Sequence, residues 1–92
     1  MRCLVVGADR NGFLPRLKEK FGVEDVVHWN GRIRKMPRKL PRQVGMVVIY
    51  TGFVSHSMMY AVKRLARENG VRVVFLKRGL AELDANIHLE SN

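Results

Sequence analysis

A single cysteine, Cys3, stands in 92 residues. No intrachain disulfide can form, so core burial must hold the fold, and the cytoplasm is the expected setting. No apolar run is long enough to cross a bilayer. The opening stretch, MRCLVVGADR, lacks the length and the small-residue cleavage site of a secretory signal. The glycine pattern of dinucleotide loops is also missing. In Gly7-Ala8-Asp9-Arg10-Asn11-Gly12 an acid occupies the place of the middle glycine, where it would repel a pyrophosphate. Neither a Walker A loop nor a zinc-finger, helix-turn-helix or ribonucleoprotein signature occurs. A chain of this length makes one small domain, residues 1–92, with no room for a separate catalytic unit.

Acidic residues are scarce as well: 8 against 17 basic ones, a formal net charge of +9. Such a balance favours anionic partners, although excess charge can also serve solubility alone. Its distribution bears on the choice. Arg32, Arg34, Lys35, Arg38, Lys39 and Arg42 fall between Gly31 and Gln43, a stretch without a single acid. With Trp29 beside it, this segment reads as a surface for nucleic acid, the cations meeting phosphates and the indole a base. The plainer reading is a solvated loop packed through Met36 and Leu40.

What the chain does contain is an alternation of short apolar runs with amphipathic segments. Residues 3–6, 23–27, 46–50 and 71–76 read as strands buried in a parallel sheet. Phe13, Leu14, Leu17 and Phe21 recur at helical spacing, with Pro15 tolerable in a first turn and Gly22 as a stop. Ser55 is a good N-cap for a long helix and Asn69-Gly70 a good end to it. Pro37 and Pro41 limit any helix in the basic segment to about two turns. Leu80, Leu83 and Ile87 suggest a short final helix, and the last few residues are expected to fray. Strands alternating with helices imply right-handed crossovers. The expected fold is therefore α/β: a four-stranded parallel sheet, order 2-1-3-4, with helices on both faces, half-Rossmann or flavodoxin-like. So small a sheet leaves edge strands open, and a homo-oligomer is expected.

In such a fold ligands bind beyond the C-terminal ends of the strands, where the strand order reverses. The residues placed there include Asp9, Arg10, His28, Trp29, Thr51, Ser55 and His56. Thr51, Ser55 and His56 sit where a strand hands over to a helix. A helix start leaves backbone N–H groups unpaired and carries partial positive charge, so an anion can dock there. The ordinary reading is a helix cap beside a surface histidine. His28 follows strand two and His56 strand three, which flank strand one, so the two could approach across it; His28 or His56 suggests a metal or haem alternative. Asp9 with His56 would serve a small transferase or hydrolase, although no motif supplies a nucleophile. Cys3, on an apolar strand, reads as core. On the long helix, Met58, Ala61, Val62 and Leu65 make the core stripe, while His56, Tyr60, Lys63 and Arg67 line the opposite side, a solvated face or a partner surface.

Gly7 after the first strand, His28-x-x-Gly31 after the second, and Thr51-x-x-Val54-Ser55-His56 followed by Lys63 resemble the domain-of-unknown-function 2325 family of small bacterial proteins. The resemblance spans roughly residues 2 to 80. It implies a compact α/β domain and directs attention to Ser55, His56 and Lys63. For some relatives it also implies haem held by a histidine. The leading expectation is a non-enzymatic module that recognises a phosphate-bearing ligand or nucleic acid, with Asp9, Arg10, Thr51, Ser55 and His56 at the ligand and the basic segment with Lys63 as partner surface.

Overall fold

The computed structural model describes residues 1–7, 13–32, 34–77 and 88–90. In chain order they form β1 (Arg2–Val6), α1 (Phe13–Phe21), β2 (Asp25–Trp29), β3 (Val44–Tyr50), a 3-10 turn (Thr51–Phe53), α2 (His56–Glu68), β4 (Arg72–Leu76) and β5 (His88–Glu90). The five strands make one sheet in the order β2-β1-β3-β4-β5. The first four run parallel, in the expected order 2-1-3-4, and β5 pairs antiparallel with β4.

Handedness distributes the connections. Stepping from β1 to β2 and from β3 to β4 moves in opposite directions across the sheet, so right-handed crossovers place α1 and α2 on opposite faces. The side chains follow. Cys3, Val5, Met46, Val48 and Val74 point one way and bury against Leu17 and Val23, with Phe21 packed beside them. Leu4, Val6, Val47, Ile49 and Val73 point the other way, onto Met58, Val62 and Ala66 of α2. Strand alternation in steps of two produces this division.

The step from β2 to β3 passes over β1 on the α2 face. Residues 30–43 make it, and the described residues among them form neither helix nor strand. Met36 and Leu40 dock the segment beside α2, and Pro37 and Pro41 deny it a regular helix. The basic segment is thus an irregular strap lying alongside α2.

Two expectations need correction. β2 is Asp25–Trp29 rather than 23–27, because its ladder with β1 runs from Arg2↔Asp25 to Val6↔Trp29. His28 and Trp29 are therefore strand residues, not residues of the loop beyond. At the other end, the tail expected to fray contributes β5, with Val73↔Glu90 and Phe75↔His88 satisfying the outer edge of β4. The expected final helix around Leu80, Leu83 and Ile87 lies outside the described residues.

No helix among the described residues is long and apolar enough to cross a membrane.

Candidate functional site

Three strand ends meet at one point. Gly7 follows β1 with φ +101° and donates its N–H to the Trp29 carbonyl at 3.0 Å. Gly31, buried beyond β2, lies against the turn that leaves β3. A Cβ on Gly31 would press into the Phe53 carbonyl oxygen and come within 2.7 Å of Val54 Cγ1 and 2.9 Å of Gly7 Cα. Only residues without side chains allow these backbones to approach so closely. The Ser55 N–H completes the junction by donating to the Gly31 carbonyl at 2.9 Å. The start of α2 is in this way pinned to the loop that opens the basic strap.

Ser55 is the N-cap. Its backbone is extended, its Oγ accepts from the Met58 N–H at 3.1 Å, and its carbonyl accepts from the Met59 N–H at 3.0 Å. Among the described residues, the N–H groups of His56 and Ser57 have no hydrogen-bond partner. They are the orphan donors that any helix start leaves over.

Beside them opens a cleft of about 590 Å³ lined by Arg32, Arg34, Met36, Val54, Ser55 and Ser57. One wall is the beginning of the strap and the other the beginning of α2. The Arg32 N–H donates to Asn30 Oδ1 at 2.9 Å, a local turn that starts the strap along α2. Neither guanidinium has a carboxylate partner among the described residues. Glu24 and Asp25 stand at the opposite rim of the sheet, engaged with the N-terminal amine at 3.4 Å and with Arg2 Nε at 3.0 Å.

The expected site residues divide. Ser55 lines the cleft, as do Arg32 and Arg34 from the partner-surface group. Thr51 does not: its hydroxyl donates to the Leu76 carbonyl at 3.4 Å and ties the end of β3 to the end of β4. His56 is exposed, its ring 6.4 Å from that of Tyr60. Lys63 lies over the Phe75 ring, 5.6 Å from its centroid, which spends its stem and charge on β4. Lys35, Arg38 and Lys39 are exposed along the strap. Asp9 and Arg10 lie outside the described residues.

Trp29 is half-buried, and its indole packs against the α2-side core. His28 alternates with it and shares the α1 side of the sheet with Val5, whereas His56 begins α2 on the other side. The sheet stands between the two histidines, so they do not form the pair that adjacent loops would have allowed. His28 Nε2 is buried without a hydrogen-bond partner among the described residues, and these hold no group of three or more potential metal ligands. Cys3 is buried in the core, and burial pushes its thiol up to about 12. It is a packing group, as expected from its strand.

Ser57 is the cleft residue that sequence reasoning missed. It sits two positions past the cap, in the first turn of α2, and that position was the available signal. A second feature emerges only when strap and helix are taken as one layer. Residues 30–69 carry nine basic residues against one acid, Glu68, a net of +8 out of the chain's +9. β3, within that span, has no charge, so the strap and α2 hold the excess.

Residues 2–88 match the family model described as "Uncharacterized protein conserved in bacteria (DUF2325)". No curated protein and no solved structure matches the chain.

Proposed function

The chain belongs to the DUF2325 family of bacterial proteins, and we propose that this member is a non-enzymatic cytoplasmic module that binds a phosphate-bearing ligand in the cleft between the strap and α2. The carrying observation is the pairing of Arg32 and Arg34, both without carboxylate partners among the described residues, with a helix start whose His56 and Ser57 amides are unspent. A phosphate would receive hydrogen bonds from these donors and complement the positive end of the helix. The Ser57 hydroxyl adds a donor. The lining offers positive charge and hydrogen-bond donors, the equipment of binding.

The Gly7–Gly31–Val54 junction gives the cleft its stiffness. The Ser55–Gly31 hydrogen bond joins the backbone of the strap to the start of α2, so the two walls of the cleft are tied together at that end without a ligand. Preorganisation of this kind lowers the entropic cost of binding.

Titration of the ¹⁵N-labelled protein with pyrophosphate tests the reading. Amide shifts are expected at residues 32–34 and 55–57, with those at Asp25 and Arg72 on the opposite rim unmoved. The double variant Arg32→Ala/Arg34→Ala should weaken binding by roughly a hundredfold, the equivalent of two charge-assisted contacts. Shifts that map elsewhere, or a double variant that titrates like the parent, would overturn the assignment.

A further inference from the structure

The cleft does not end at Ser57. A second groove of about 420 Å³, lined by Met36, Ser57, Tyr60, Ala61 and Arg64, shares Met36 and Ser57 with it. Together they make one furrow with the strap on one side and α2 on the other. Ser57, Tyr60 and Arg64 follow one another at i, i+3 and i+7, a single stripe along the helix. The stripe is about 10 Å long at 1.5 Å rise per residue. Cations stand at both ends, Arg32 and Arg34 at the start and Arg64 at the finish. Tyr60 lies between them, 62% exposed.

We propose that the furrow binds single-stranded nucleic acid: one phosphate in the cleft, a base stacked on Tyr60, and a following phosphate at Arg64. The inference rests on the phosphate reading of the cleft and extends it to a polymer. Three observations carry it. Cation, ring and cation alternate along a continuous groove, the pattern by which proteins hold unpaired strands. The ring is exposed although α2 has a buried face available, and an unstacked base has the flat apolar surface to cover it. The layer that bears the furrow holds the net charge of +8 derived above, with Lys35, Arg38 and Lys39 exposed along the strap to draw in a polyanion. A duplex keeps its bases stacked inside and cannot present one to Tyr60. Recognition by ring and charge is tolerant of sequence, since every base has a π-face.

Fluorescence anisotropy of the full chain with a labelled oligouridylate, against a duplex of equal length, tests the proposal. The single strand is expected to bind at low salt, and the duplex to bind roughly tenfold or more weakly. Tyr60→Ala should weaken the oligouridylate by roughly tenfold and Tyr60→Trp should retain it, because the indole restores the stacking surface. Both variants should keep the far-UV circular dichroism of the parent, since Tyr60 is exposed. Arg64→Ala should reduce the slope of log K against log salt by about 0.7, one phosphate's worth on a single strand. Equal affinity of Tyr60→Ala and parent, or of duplex and single strand, would overturn the furrow. If pyrophosphate still moves the amides at 55–57 while the oligonucleotide does not bind, the polymer inference falls and the phosphate site stands. If neither binds, both fall.

Discussion

Replacing Gly31 by alanine probes the junction on which the site depends. The added Cβ would meet the Phe53 carbonyl oxygen, Val54 Cγ1 at 2.7 Å and Gly7 Cα at 2.9 Å. Two of these three obstacles are backbone, so no side-chain rotation makes room. Overpacking at a rigid site costs about 1–3 kcal/mol, and rigid backbone obstacles put Gly31→Ala at the upper end. Moving the loop to relieve the clash would also break the Ser55–Gly31 hydrogen bond, worth about 1 kcal/mol. The sum, about 3–4 kcal/mol, is a large share of the roughly 5–14 kcal/mol that a domain of this size commands. It corresponds to a fall in Tm of about 15–30 °C.

Urea unfolding followed by the fluorescence of Trp29, the one tryptophan of the chain, gives the direct measurement. Gly52→Ala is the control. Among the described residues its Cβ would have only the Lys77 carbonyl in range, at 3.8 Å, and the variant should stay within about 0.5 kcal/mol of the parent. A Gly31→Ala protein that unfolds at the parental midpoint would refute the close-packed junction, and with it the argument that strap and α2 are tied together at that end.

Two smaller perturbations test neighbouring parts of the argument. Ser55→Ala removes the cap on Met58 N–H and should cost about 1 kcal/mol, read as a lower urea midpoint at unchanged m-value, whereas Ser55→Asp should hold the midpoint near that of the parent; a loss no greater for Ala than for Asp would count against the cap. Cys3 should resist Ellman's reagent in the native state and react on unfolding. Its thiol is pushed by burial from 9.0 to about 12, so from pH 9 upward the unfolded chain sheds a proton that the native one keeps. Stability from this group is intact below that pH and declines by about 1.4 kcal/mol per unit toward pH 12. Cys3→Val should lack that component of the alkaline loss, and identical alkaline slopes for the two proteins would contradict the assignment.

Much of the architecture is written locally. The apolar runs at residues 3–6, 46–50 and 71–76 can satisfy themselves only in a sheet covered on both faces. Ser55 and Asn69-Gly70 mark the ends of α2 by hydrogen bonds made within a few residues. Alternation with helices then implies parallel strands joined by right-handed crossovers, and for the order 2-1-3-4 that handedness puts the helices on both faces. The acid-free strap and the cap at Ser55 are likewise visible in the bare chain, and they supply most of the cleft lining.

What stayed hidden depends on register and on partners far along the chain. Residues 23–29 contain two ways to place a strand, and only pairing with β1 selects Asp25–Trp29. A shift of register decides which side chain meets which face, so it sets His28 on the α1 side and Trp29 on the α2 side. β5 exists because β4 presents an open edge to a tail that carries no strong strand signal of its own. Tyr60 and Arg64 look like any solvated helix face until Met36, two dozen residues earlier in the sequence, is docked beside them to form a furrow. Local chemistry determined most of the elements, their caps and their succession along the chain. Tertiary pairing decided the faces, because the direction a side chain points in a strand is set by its neighbour's backbone and not by its own identity.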